Sequence, residues 1–271
     1  MQGAASASPL PAVQMFWHGA PLSRVERLSM ASFLAHGHPL DLYVYDAPAA
    51  PPAGVRLMSA ADILPRTQLF THRRTGSLGS FSDWFRYRLL SERGGIWADA
   101  DVVCLAPLAY RQAEIFGWQD AQLLNNAVLG LPAGHALAVW LATCCENPNR
   151  LLPYDNLSLR LRKLRRRYLG GNRRDRVRWG EFGPKGLTQA ARYLGYIGKA
   201  QPPAQFYPVR CEDWRVMFAS RVATTPPWTQ ESRTVHLWQQ MMKTSSGFDK
   251  NARFPADSPF EELCRRYLQK E

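Results

Sequence analysis

Apolar and polar positions along the first fifty residues switch between two periods. "VQMFWHG" (13–19) is a short run of large apolar residues closing on a turn, and it predicts a buried strand. Residues 22–36 place Leu22, Val25, Leu28, Ala31 and Leu34 at helical spacing, which predicts an amphipathic helix. "LDLYVYDA" (40–47) reads as a second strand, and the Pro-rich piece 48–54 as a connection. Strand, helix, strand opens a βαβ unit, and so an α/β layer of the nucleotide-binding type. Residues 1–12, rich in Ala, Ser and Pro, are expected to be a disordered leader.

The next stretch, "GSFSDWFRYRLLSERGGIWADADVVCLAPL", predicts a helix over about 81–92. Ser80 stands three residues before Asp83, the spacing of a capping box, and Gly94 and Gly95 supply a glycine stop. "IWADADVVCLA" alternates as one strand, with Trp97, Asp99 and Asp101 on one face and Ile96, Ala98 and Ala100 on the other. Further strands are predicted at 114–119 and 126–132, and helices at 134–146, 157–169 and 183–196, the last with Pro184 at its favoured first turn. "TVHLWQQ" (234–240) reads as strand to loop, and a terminal helix begins near 258. The chain shows no internal repeat. It is expected to be one mixed α/β domain over 13–271, with a basic helical insertion at 148–182.

Charge changes this picture in one place. The chain carries a formal +12, and Arg160 to Arg178 hold ten Lys or Arg against one acid, Asp175. That segment is +9, leaving about +3 elsewhere, so any argument from charge concerns 157–178 and not the whole protein. The segment fits a solvated basic face, a helix on an anionic membrane surface, or contact with an anionic acceptor or acidic partner. Nucleic acid is not expected, because aromatic interleaving is sparse and no reading module is present. The five cysteines have no zinc or redox spacing and read as buried thiols of a reducing compartment. The start lacks a secretory pattern, and the longest apolar run, "ALAVWLATCC", is about half a membrane span. The expected location is the cytoplasm, at the membrane periphery if the basic segment docks there, or outside the cell if the protein is a secreted effector.

The chemistry is concentrated at Asp99 and Asp101. Two carboxylates ~6 Å apart at an effective dielectric of ~20 repel by roughly 3 kcal/mol. Exposed at a strand end, water screens them; between buried flanks, a hard divalent cation with room for phosphate oxygens compensates them. Asp83 and Arg86, three apart, share one face of the preceding helix, while Phe85 and Leu89 can face the core. Asp83 can bind sugar hydroxyls, and Arg86 can fix it or contact phosphate. The plainer alternative is a capping Asp and a surface Arg.

"SDWFRYRLLSERGGIWADADV" resembles the S-D-x-x-R-Y…G-G-x-Y-x-D-x-D signature of sugar transferases with a DXD sugar-binding region, glycosyltransferase family 32. Its members include α-1,4-galactosyltransferases and the yeast outer-chain mannosyltransferase, with the glucosylating clostridial toxins more distant. Ser82, Asp83, Arg86, Tyr87, Gly94, Gly95, Asp99 and Asp101 match; Trp97 departs, standing where the family has Tyr or Phe. "MFWHG", "NNAVLGLPAGH", "GEFGPKGLTQA" and "HLWQQ" are similar to outer segments, so the likeness runs from about 13 to 240 with 148–178 unmatched.

The resemblance implies a GT-A fold, a Rossmann-like mixed sheet flanked by helices, and a retaining, metal-dependent transfer of a hexose from a nucleotide-sugar, UDP-sugar favoured, to a glycan, glycolipid or protein. It implies Asp101 as direct ligand of Mn2+ (or Mg2+), and Asp99 acting through water or on ribose hydroxyls. His236 is a candidate third ligand or else a core histidine. Trp17 would stack on the base, Trp238 would close over the pyrophosphate, and Asp83, Arg86 and Tyr87 would meet the donor. Asn125 or Asn126, the latter taken as the catalytic-site residue with Asp83, Arg86, Asp99 and Asp101, would lie near the donor sugar. Two other readings stand beside it: a catalytically silent sugar-nucleotide binder and a basic nucleic-acid-binding protein.

Overall fold

The computed structural model describes residues 10–221 and 226–268. The expected leader falls mostly on residues 1–9, which lie outside the described residues. The chain runs β1 (Val13–Trp17), α1 (Arg24–Ala35), β2 (Leu40–Val44), β3 (Val55–Ser59), α2 (Gly79–Arg93), β4 (Gly95–Ala98), β5 (Val102–Cys104) and β6 (Ile115–Trp118). It continues through β7 (Leu124–Leu131), α3 (Ala136–Glu146), α4 (Leu157–Leu169), α5 (Pro184–Tyr193) and α6 (Pro203–Phe206). β8 (Thr234–His236), α7 (Gln239–Thr244) and α8 (Pro259–Tyr267) complete it.

Six strands form one sheet in the order β3-β2-β1-β4-β7-β6. The β3, β2, β1 and β4 neighbours are parallel, whereas β7 is antiparallel to both β4 and β6. This is the expected α/β architecture, a Rossmann-like mixed sheet flanked by helices. β1 shows why both faces need helices: Val13 and Met15 enter one apolar cluster, with Val25, Phe33 and Phe260, while Phe16 enters the other, with Phe81, Leu137 and Leu187. α1 and α8 thus cover one face, and α2, α3 and α5 the other. β3 was not anticipated, because "VRLMS" is short, half exposed and follows a Pro-rich connection.

α1 starts at a capping box, Ser23 with Glu26, two residues later than predicted. The expected box of Ser80 and Asp83 does not form. α2 begins at Gly79, whose N–H donates to Ser77 Oγ, so Ser80 and Asp83 lie inside the helix and are buried. Gly94 ends α2 with φ +64, and a Cβ there would stand 2.4 Å from the Ala133 amide. A glycine is therefore needed both for the conformation and for the close approach of the chain after β7. α4 is anchored by the buried pair Lys163–Asp155 at 2.8 Å and the paired bonds of Arg166 to Glu181. No helix among the described residues is long and apolar enough to cross a membrane.

Candidate active site

The α2–β4 unit assembles the first half of the site. Asp83 and Arg86 share a face of α2, and the glycine stop turns the chain back so that β4 delivers Trp97 and Asp99 beside them. Arg86 is buried, at 3% exposure. Its Nη1 lies 2.9 Å from Asp99 Oδ1 and also donates to the Asn126 carbonyl. Its Nη2 lies 3.5 Å from Asp83 and donates to Ser82 Oγ at 3.2 Å. The guanidinium also sits 4.8 Å over the Trp97 ring, a cation–π contact. Burial opposes its charge, but Asp99 and Asp83 outweigh burial and hold its pKa above the ordinary value. Asp83 is pushed up to about 6 by burial, against the pull of Arg86 and the Asn126 amide.

The second half comes from the far end of the chain. "IWADADVVCLA" is not one strand: β4 ends at Ala98, Asp99 to Asp101 form a turn, and β5 starts at Val102. The Val102 N–H donates to Asp99 O at 3.0 Å, closing the turn. Residues 99 to 101 therefore do not alternate as a pleat, and the turn sets their side-chain directions. β5 leaves the main sheet and pairs antiparallel with β8, placing Val102 opposite His236. Asp101 Oδ2 accepts the Gln239 N–H at 2.6 Å and lies 3.1 Å from His236 Nε2. Burial pushes the Asp101 carboxyl up, but His236 and these hydrogen bonds together hold it below the usual range. Asp99 lacks that support; burial raises it in spite of Arg86.

One ligand atom from each of Asp99, Asp101 and His236 lies within 4.8 Å of the other two. His236 Nδ1 is buried with no hydrogen-bond partner. Two carboxylates and an imidazole form the mixed O/N donor set that suits a divalent ion such as manganese. The residues present therefore fit the implied metal.

The triad opens into a cleft of about 420 Å³. Trp17, Asp83, Arg86, Asn126 and Trp238 all line it. Trp17 carries Lys250 Nζ 5.5 Å over its ring. Trp238 holds a left-handed backbone, φ 58 and ψ 54, unusual for a bulky residue, and its ring stands 4.2 Å from that of His236. Of the two asparagines, Asn126 donates to Asp83 Oδ1 at 2.8 Å and to Tyr87 OH at 2.9 Å, while Asn125 donates to Gln119. Tyr87 stands behind the wall and not in the cleft. It is fully buried, and its hydroxyl donates to the Phe182 carbonyl at 2.8 Å. A direct donor contact is thus replaced by support of Asp83 through Asn126.

Residues 66–122, which span α2 and both aspartates, match the family profile described as the glycosyltransferase sugar-binding region containing the DXD motif. Residues 161–270, which include His236 and Trp238, match the alpha 1,4-glycosyltransferase conserved region. In both regions the chain is thus similar to DXD-containing glycosyltransferases. Human alpha-1,4-N-acetylglucosaminyltransferase is 21% identical over 198 residues, 68% of this chain and 50% of that protein. The chain thus spans about half the length of this curated relative. Among solved structures, the PaToxG glycosyltransferase aligns with a TM-score of 0.45 and 14% identity, over 71% of this chain and 74% of its own. The WbbM bifunctional glycosyltransferase aligns at 0.36 and 12%, over 98% and 53%.

Three further residues contribute to this site, and the sequence marks them faintly or not at all. Gln239 acts through its backbone N–H, which no residue type announces. Glu26 lies some 75 residues before Asp101 in sequence; it is fully buried in α1 and accepts from Gln239 Nε2 and Lys250 Nζ. Tyr207 donates to Asn125 O at 3.3 Å and accepts the Val128 N–H at 3.0 Å, bracing the wall. Only the acid at a helix cap in "SRVERL" offered a signal, and a capping box accounts for it locally.

Proposed function

We propose that this chain is a metal-dependent, retaining glycosyltransferase that moves a hexose from a nucleotide-sugar, preferentially a UDP-sugar, to a hydroxyl of a glycan, glycolipid or protein. The observation that carries the reading is the meeting of Asp99, Asp101 and His236 within 4.8 Å, in one cleft with Asp83. Asp101, Asp99 and His236 would hold Mn2+ (or Mg2+), whose contribution when bound is to neutralise charge developing on the leaving diphosphate. Arg86 holds Asp99 in place and opposes the burial that raises its carboxyl. Asp83, fixed by Asn126, accepts hydrogen bonds from donor-sugar hydroxyls. Trp17 offers a ring for the base, and Trp238 one for the pyrophosphate side.

The transfer forms a bond from the acceptor oxygen to the anomeric carbon as the bond to the phosphate oxygen breaks. The electron pair leaves with the diphosphate, which takes the acceptor's proton on the same face of the sugar. Support for retention is twofold. The carboxylates of the site are already engaged by Arg86, Asn126, His236 and Gln239, so none is set aside as a covalent nucleophile. The human relative's name denotes an α-1,4 linkage, and an α product from an α-linked donor is retention.

The test is nucleotide release from a panel of UDP- and GDP-sugars, UDP-N-acetylglucosamine among them, with and without manganese. One donor is expected to be hydrolysed slowly, only with metal, and Asp101→Ala should lower the rate by at least ~100-fold. Release that persists in chelator, or that survives Asp101→Ala, overturns the reading.

A further inference from the structure

Trp179 plays no part in the donor site as described, yet it lines the same cleft and keeps 37% of its surface exposed. Its Cη2 stands 2.6 Å from where a Cβ on Gly79 would be, so the indole rests directly on the α2 backbone, and any side chain at 79 would lift it. His72 meets it edge-on at 5.5 Å. Gly79 precedes Asp83 by four residues, one helical turn and about 6 Å along the axis. A rigid, partly exposed indole is thus held one turn from the carboxylate assigned to the donor sugar. Such a ring gives large contact area at little entropic cost, and its flat apolar face suits the C–H face of a pyranose.

The charge beside it is distinctive. His72 Nε2 contacts the Val177 carbonyl at 2.9 Å and the Arg73 N–H donates to the Asp175 carbonyl at 2.9 Å, so the 72–77 turn and the 175–179 segment are stitched together. These two pieces carry Arg73, Arg74 and Arg178, all exposed. Among the described residues, the three side chains make no ion pair or hydrogen bond. Neighbouring arginines are engaged: Arg173 with Asp175, Arg174 over Trp84 at 4.1 Å, and Arg166 with Glu181. Uncommitted guanidinium charge is therefore carried on the two joined segments that hold this aromatic platform, where planar forks suit carboxylate or phosphate oxygens.

We propose that Trp179, Arg73, Arg74 and Arg178 form the acceptor subsite, and that the acceptor is an anionic carbohydrate chain. The proposal rests on the donor-site reading above. Calorimetric titration of the full chain with tetragalacturonate, with the neutral maltotetraose and with inorganic phosphate tests it, and UDP with manganese is titrated on the same preparations. Tetragalacturonate should bind best and weaken steeply with salt. Trp179→Ala should weaken it about tenfold and Trp179→Phe by no more than about threefold. Joint replacement of Arg73, Arg74 and Arg178 by Ala should bring it down to the level of maltotetraose. Equal binding of the two oligosaccharides, phosphate binding as tight as tetragalacturonate, or an unchanged Trp179→Ala overturns the subsite. Failure of UDP with manganese in the wild-type chain instead overturns the donor reading, whatever the oligosaccharides do.

Discussion

The role proposed for Asp83 needs charge, and its place resists it. Burial pushes its carboxyl up to about 6, well above the 3.8 of an exposed aspartate. A folded-state pKa above the unfolded one means the folded chain binds the extra proton. Stability from this group is full below about 3.8 and is lost as pH rises through 6. At 1.36 kcal/mol per pH unit the loss is roughly 3 kcal/mol. In metal-free protein, Asp83→Asn is therefore expected to be more stable than wild type at pH 7.5, the gain shrinking toward zero near pH 4, as urea unfolding at several pH values would measure. Donor hydrolysis should run the other way, rising from pH 5 to 7 in wild type as Asp83 ionises and losing that rise in the variant. An equal pH dependence in both proteins would remove Asp83 from the site. Trp97 carries a second residue-scale lesson. It stands where the resembled family has Tyr or Phe, and its indole Nε1–H donates to Asp99 Oδ1 at 2.8 Å. Residue type alone could not show this, because the bond depends on the turn that follows β4.

Elements explain why half of the site was legible and half was not. Asp83, Arg86 and Asp99 are joined by one helix, one glycine stop and one strand, so helical spacing and the Gly-Gly signal sufficed. His236 enters through the β5–β8 pairing across more than 130 residues, and three-residue strands carry almost no periodic signal. The break between β4 and β5 was hidden for the same reason, since alternation looks alike in one long strand and two short ones. Glu26 joins α1 to this corner. Its carboxylate takes Gln239 Nε2 while the Gln239 backbone N–H holds Asp101, and it takes Lys250, which lies over Trp17. Glu26 thus supports both the side of the cleft proposed for the metal and the side proposed for the base. Glu26→Gln keeps the shape but drops the charge that holds Lys250. It is expected to raise the manganese concentration for half-maximal donor hydrolysis about tenfold, with a smaller fall in the rate at saturating metal. A fall in saturated rate with no change in metal requirement would reduce Glu26 to an α1 cap.

At the scale of the whole molecule, the mixed sheet and its covering helices follow from the periodicity, while the placement of charge and apolar surface on α4 does not. Leucines at 157, 161 and 164 share one face of this helix, and that face does not turn to the core. Leu157, Leu161 and Tyr168 are 73, 58 and 73% exposed, and they lie at i, i+4 and i+11 on one outward stripe. Lys163 and Arg166 face inward instead, because Asp155 and Glu181 provide buried partners that outweigh the desolvation of two cations. The outward stripe is flanked by exposed Arg160, Arg162, Arg165 and Arg167, none of which pairs with an acid among the described residues. Apolar side chains bordered by free cations fit an anionic lipid surface, where leucines enter the headgroup layer and each arginine near the surface adds ~1 kcal/mol. The protein is expected to co-sediment with vesicles containing phosphatidylglycerol, weakly or not at all with pure phosphatidylcholine, and less as salt rises. Leu157→Asp with Leu161→Asp should lower the partition coefficient by at least ~10-fold, at ~0.8 kcal/mol per buried methylene, and should not change the melting temperature, since neither side chain packs on the fold. Binding indifferent to lipid charge, or untouched by the double substitution, would leave α4 a solvated basic face and return the acceptor question to the cleft alone.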